Sequence, residues 1–387
     1  LRRPPPALRR APAMMAEGLQ LPVTARKASG PLWPEPCDAL PPRKRRHDEA
    51  TQGLGAAETP SPMVADHVEV DGAKAAQLAP LVAVVADAGA EAGPLLQALT
   101  KLRQALATPA RPPVQELISV GGLGAVAARL GDPGASPLAR LEAAWVLTNA
   151  AAGASRHAEE VLKAGAPAAA IAALTSPQAG ERSDLCDQCL WALANLAGDA
   201  DTSIRDRLIA AGVVGALGQL FSRMPHFAWS LAERARVLRT MTWLASCLCR
   251  GSPAPVLEDV ECFFDYFAQV VTGSDDVQMV HDALHGLCHL LGAAGPRDGD
   301  PAARAVRLLT TGISPDEAPP PKHPLLEQVV RCARRPGDAE HPLPVPACQL
   351  LGLLAASSAP EAAEAALAAG ALGALRALLA DGRAPEP

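Results

Sequence analysis

Trp145 and Asn149 stand four residues apart, and so do Trp191 and Asn195. On a helix, positions i and i+4 share a face, so each pair sets an indole beside a carboxamide. An indole face attracts the cation of a Lys or Arg side chain with about 0.5–2 kcal/mol. A carboxamide both donates and accepts, so it can grip the backbone of an extended peptide whatever its sequence. The pairs lie in matching segments, LEAAWVLTNAAAG at 141–153 and LWALANLAGD at 190–199, and a third indole, Trp243, opens WLASCLCRG. A single W-x3-N is more simply a core tryptophan and a surface asparagine. Two in register, each trailed by small residues and Gly, point to a groove. The third copy carries Cys247 where the asparagine would fall.

Two other constellations have metal-like spacing. Cys186 and Cys189 form a C-x2-C pair, but no second pair follows and both sit on the helix just ahead of Trp191. His281, His285 and His289 make an i, i+4, i+8 stripe without the carboxylate that accompanies zinc motifs. That stripe reads as groove surface that could respond to pH. No phosphate loop, nucleophile elbow or catalytic carboxylate pair is present. The expectation is a chain with no catalytic residue, no metal and no cofactor: a binding protein, not an enzyme.

Such rungs need a repeated helix to carry them. Trp145 to Trp191 is 46 residues and Trp191 to Trp243 is 52, with an insertion expected at SRMPHFAWS (222–230). A period of about 40–47 residues with two or three helices is the armadillo/HEAT signature. ELISVGGLGAVAARL, VLKAGAPAAAIAAL, RLIAAGVVGALGQLF and AALAAGALGALRALL each place glycine between two short apolar helices. Gly122, Gly165, Gly212 and Gly370 are the expected left-handed corners. No strand-like alternation appears, so the chain reads as all-α. Residues 76–387 form the expected repeat array, degenerate or truncated around 293–340, where a Pro-rich PDEAPPPKHP segment interrupts it.

Composition agrees. Of 387 residues 49% are hydrophobic but only 3% aromatic, so Ala, Leu and Val carry the core. Nine cysteines lack a disulfide-framework spacing, which suits a reducing compartment. No apolar run approaches the roughly 18 residues of a membrane span, and no secretory signal is visible. Residues 1–75 are rich in Pro, Gly, Ala and charge and read as a disordered arm. Residues 1–50 hold ten Lys/Arg against five Asp/Glu, leaving the body at −11 of a total −6. A basic arm on an acidic body suggests docking of one on the other.

The segments AAWVLTNAAAG, LWALANLAGD and WLASCLCRG resemble the second, third and fourth armadillo repeats of importin-alpha. The resemblance runs from about Ala79 to Gly292, includes the lead-in PPVQELISVGG, and continues more weakly to the C-terminus. It implies a right-handed superhelical solenoid whose third helices line a groove for Lys/Arg-rich nuclear localisation signals. Trp145, Asn149, Trp191, Asn195 and Trp243 then form the cargo ladder. Asp199 and Asp282 fall at the family's groove aspartates. Gln188 matches a glutamine that contacts the ligand backbone, and Gly153 a glycine that lets a cargo lysine approach. Arg43, Lys44, Arg45 and Arg46 match a cluster that folds back as an autoinhibitor and is released by importin-beta.

The implied partners are cargo proteins bearing such signals and importin-beta, with neither nucleic acid nor membrane, and a protein that shuttles between cytoplasm and nucleus. The sequence departs from the family at several places. Ala158 stands at a threonine position, and His285 and His289 stand where tryptophan and asparagine or tyrosine are usual. Gln349 and Leu353 occupy a later Trp/Asn rung, so only one peptide site is expected. The three consecutive prolines near the start cannot sit in the family's long basic helix. That departure keeps open a second reading, an armadillo interaction scaffold outside the import cycle.

Overall fold

A computed structural model describes residues 70–108, 112–292, 300–310, 323–335 and 341–380. The expected arm, including Arg43 to Arg46, lies outside the described residues. All regular structure among the described residues is helical, and the fold is an armadillo solenoid. An incomplete first repeat gives α1 (Gly72–Ala86) and α2 (Ala92–Leu106). Three complete repeats follow: α3 (Val114–Ser119), α4 (Gly122–Gly131), α5 (Pro137–Ala151); α6 (Ser155–Lys163), α7 (Ala166–Thr175), α8 (Ser183–Ala197); α9 (Thr202–Ala210), α10 (Val213–Arg223), α11 (Leu231–Cys249). Then come α12 (Leu257–Val260), α13 (Phe263–Gly273), α14 (Val277–Gly292); α15 (Pro301–Thr310), α16 (Pro324–Arg334), α17 (Pro344–Ala356); and α18 (Pro360–Ala368), α19 (Ala371–Ala380).

Helices of like rank pack on one another along the stack. The third-helix row α2, α5, α8, α11, α14 and α17 is continuous, each member packing on the next. α14 meets α17 and α13 meets α16, so the stack carries across 293–340 on α16 within it and on α14 and α17 either side. The region expected to be degenerate or truncated thus contributes α15 and α16. α1 begins at Gly72, where the Asp71 carboxylate accepts from the backbone N–H groups of Ala73 and Lys74.

Buried Ala and Leu let the helices approach closely, with Phe264 and Phe267 among the few large fully buried side chains. The first-to-second helix corners turn at Gly165, Gly212 and Gly370 with positive φ, as expected. In the earliest copy the left-handed residue is Gly121, at φ 71°, and not Gly122. Gly122 is the first residue of α4 and is small for another reason. A Cβ there would lie 2.2 Å from a methyl of Leu117. The insertion after α10 is not a polar loop but a buckle. Trp229 is buried against Phe227, ring centres 4.8 Å apart, and its indole N–H donates to the Gly180 carbonyl at 2.9 Å. Among the described residues no single helix is long and apolar enough to cross a membrane.

Arginines tie repeat to repeat. Arg129 donates to the Val85 and Asp87 carbonyls, and Arg223 to those of Thr175 and Ser176. Each reaches carbonyls at the end of the second helix one repeat earlier, where no intrahelical donor follows. At the start of α11, Ser230 and Glu233 form a reciprocal capping box, and the Ser183 hydroxyl of α8 donates to Glu233 at 2.8 Å. These hydrogen bonds, the Ser230 hydroxyl first, hold the Glu233 carboxyl down from 4.5 to about 2. Its folded pKa lies below its unfolded one. The stabilisation is therefore complete above the unfolded value and is lost as pH falls through about 2. Urea unfolding is expected to show Glu233→Gln less stable than the parent at neutral pH, the gap closing as pH falls from about 5 towards 2. A gap independent of pH would contradict this account of the cap.

Candidate functional site

The third-helix row brings the expected ladder together. Trp145 and Asn149 lie on α5, Gln188, Trp191 and Asn195 on α8, Trp243 on α11 and Asp282 on α14, consecutive members of one packed row. Trp191 is buried, whereas Trp145 and Trp243 are half-buried. Gly153 and Asp199 follow the ends of α5 and α8. Asp199 is buried, and one of its oxygens accepts from the Asp201 backbone N–H at 3.0 Å.

The asparagines do something the sequence did not reveal. The Asn195 side-chain amide donates to the Thr148 carbonyl of the preceding third helix at 3.1 Å, and the Asn149 amide to the Arg103 carbonyl at 3.5 Å. Both carbonyls also accept a backbone N–H within the last turn of their own helix, from Ala152 and Ala107. A carbonyl has two lone pairs, so the carboxamide uses the second. This leaves Asn149 Oδ1 buried without a donor, and Gln188 Oε1 is in the same condition. A buried acceptor without a donor costs about 1–3 kcal/mol. Thr148 adds a further cross-repeat bond, its hydroxyl donating to the Gln188 carbonyl at 3.1 Å. In the third copy Cys247 has no such amide, and Arg250 supplies the cross-repeat donor, to the Gly198 carbonyl at 2.8 Å.

Two residues missed in the sequence shape the site. The Arg103 guanidinium of α2 lies over the Trp145 ring, 4.5 Å from its centre, and its Nε contacts the Glu142 carboxylate at 2.6 Å. Its signal was its place, one repeat period before Asn149. His341, just ahead of α17, joins the expected histidine stripe. Ring centres are 4.6 Å apart for His281–His285, 6.2 Å for His285–His289 and 5.5 Å for His281–His341. His281 Nδ1 lies 3.5 Å from Asp282 Oδ1. Around Gly153, a Cβ would come within 2.5 Å of the His157 imidazole, so His157 fills the notch that glycine leaves. Burial first, then the Arg156 charge, lowers the His157 pKa, against a smaller opposite pull from Glu116.

The thiols carry no sign of chemistry. Burial raises Cys186 to about 12, with the charges of Asp187 and Asp184 adding to the effect, and burial raises Cys189, Cys249 and Cys288 as well. A reactive thiol needs the opposite shift. Among the described residues no group of three or more His, Cys, Asp or Glu is placed to hold a metal ion.

No protein-family model matches the chain. It is similar to importin subunit alpha-1b of Oryza sativa subsp. japonica, 32% identical over 197 residues, covering 50% of this chain and 34% of that protein. It is 31% identical over 195 residues to importin subunit alpha-2 of Arabidopsis thaliana, with the same coverage. The matches thus span about a third of the length of these curated relatives. Among solved structures, an engineered protein aligns with TM-score 0.61 at 18% identity, covering 78% of this chain and 63% of its own. A computationally designed armadillo repeat protein for modular peptide recognition aligns with TM-score 0.54 at 17% identity, covering 71% and 99%. These structural matches share the fold.

Treated with iodoacetamide at about pH 7.5, the folded protein is expected to leave Cys186, Cys189, Cys249 and Cys288 unlabelled while half-buried Cys348 reacts ahead of them. Peptide mass mapping reads the result, and prompt labelling of the Cys186/Cys189 pair would contradict the assignment of these thiols to the core.

Proposed function

The chain is an importin-alpha-like armadillo protein, and we propose that its third-helix row is a receptor for Lys/Arg-rich nuclear localisation signals held in an extended conformation. The observation that carries this reading is the pair of buried acceptors without donors, Asn149 Oδ1 and Gln188 Oε1, on adjacent third helices between the indoles. An extended peptide has a backbone N–H at every non-proline residue, which suits it to such acceptors. Trp145, Trp191 and Trp243 then take the aliphatic stems of Lys and Arg, and the carboxylates Asp199 and Asp282 supply the charge that selects them. Gly153, packed against His157, keeps the backbone at the end of α5 without a side chain of its own.

In this reading the protein is a non-enzymatic adaptor. It links cargo to importin-beta and shuttles between cytoplasm and nucleus. The basic cluster Arg43, Lys44, Arg45 and Arg46 competes with cargo for the acidic groove until importin-beta removes it. The groove is a one-site receptor, because His285 and His289 take the next rung and Gln349 and Leu353 a later one. That same observation favours the second reading, an armadillo scaffold outside the import cycle, whose groove would take peptides of other chemistry.

Titration of a PKKKRKV-like peptide against the chain lacking residues 1–60 separates the two. The import reading expects micromolar or tighter binding that weakens with added salt. Trp191→Ala is expected to weaken it by about 3- to 30-fold, and Asp199→Lys by at least as much. No binding by the shortened chain would overturn the import reading and leave the scaffold. Deleting Arg43 to Arg46 from the full chain is expected to strengthen peptide binding; unchanged affinity would remove the arm from the account.

A further inference from the structure

The ladder has an end, and the chain closes it with a cation of its own. One repeat period of 46 residues before Trp145 and Asn149 stand Leu99 and Arg103, both on α2. Leu99 is fully buried, so this rung offers no indole. In place of a carboxamide it offers a guanidinium, which crosses to the neighbouring helix and lies over Trp145 at 4.5 Å. Two contacts fix it there, the indole and the Glu142 carboxylate at 2.6 Å, while the Asn149 amide ties the Arg103 backbone carbonyl at 3.5 Å. The side chains of Arg103 and Glu142 are 12% and 16% exposed, so the pair is largely withdrawn from solvent.

An indole in a row has two flanks. α5, which carries Trp145, packs between α2 and α8, the helix of the next rung, Trp191. The α2 side already carries a cation in the position that a ligand's Lys or Arg would take. Resting on the groove reading above, we propose that Arg103 is a specificity-determining stop. It fills the last indole flank from within, so the groove accepts a basic run of fixed length whose next residue towards α2 is not basic. A further ligand cation on that side finds no indole and meets a like charge, which is unfavourable. The ligand class is therefore narrower than any Lys/Arg-rich peptide. It is an extended segment with one short basic cluster that gives way to uncharged or acidic residues at the end lying on α2.

The test uses the full chain and three labelled peptides: PKKKRKV, KKKKRKV and PKKKRKK, the last two lengthening the basic run by one Lys at either end. Affinity is read by fluorescence anisotropy for the parent, for Arg103→Met, which keeps an apolar stem but removes the charge, and for Glu142→Gln. In the parent, lengthening at one end is expected to bring no gain. In Arg103→Met the same lengthening should strengthen binding by about three- to tenfold, the worth of one indole–cation contact. Glu142→Gln keeps the Arg103 cation on Trp145 and should retain the parent's length limit. A merely structural role for Arg103 would shift all three affinities together and leave their ratios unchanged. Equal ratios in parent and Arg103→Met, with PKKKRKV still bound, overturn the stop and leave the groove standing. Failure of both the parent and the parent lacking Arg43 to Arg46 to bind any of the three overturns the groove reading and the stop with it.

Discussion

The constraint on which this molecule turns is the supply of donors to the carbonyls at helix ends. Each helix leaves its last carbonyls without intrahelical partners, and a solenoid of short helices multiplies such ends. Here the next repeat reaches back to them. Arg129 and Arg223 do so for the second helices and Arg250 for the end of α8, while Asn149 and Asn195 give a second donor to carbonyls of α2 and α5 that already hold a backbone N–H. Apolar burial of Ala and Leu gives the stack its cohesion but little direction, because burial scales with area and not with angle. The reaching side chains fix the register of each repeat on the last.

On the inner face this constraint and the proposed binding chemistry share the same side chains. A carboxamide whose N–H holds the preceding helix has its oxygen left over, and the backbone fixes where that oxygen sits. Preorganisation of this kind lowers the cost of ordering a groove on binding. Flanking indoles add cation attraction at the spacing of the repeat. The Arg103 guanidinium on Trp145 is an internal instance of the contact that the row is proposed to make with a ligand. In the second half of the row the donors and rings change. Cys247 ends the asparagine series, and His281, His285, His289 and His341 gather around the next rung.

Much of this was legible in the sequence because repetition writes the same physics several times. The W-x3-N pairs gave the period, the period gave the armadillo solenoid, and glycines marked three of the four corners compared. What was not legible depended on contacts between elements far apart in the chain. Gly121 and Gly122 are adjacent, and only the packing of Leu117 against Gly122 shows which is the corner and which the close contact. The SRMPHFAWS segment looked polar, but Trp229 and Phe227 fold it onto Gly180, 49 and 47 residues away. The sequence assigns Asn149 and Asn195 wholly to a groove, whereas half of each carboxamide is committed to the neighbouring helix. Arg103 carried no local motif and gains its meaning only from Trp145.

The measurement that tests the central claim most directly is a crystal structure of the chain with a PKKKRKV peptide bound. The account predicts an extended peptide along α5, α8 and α11. Its backbone N–H groups should lie about 3 Å from the oxygens of Asn149 and Gln188. Its Lys stems should rest on Trp191 and Trp243, with Arg103 still on Trp145. A peptide bound elsewhere on the solenoid, or in the groove with those two oxygens still lacking donors, would contradict it.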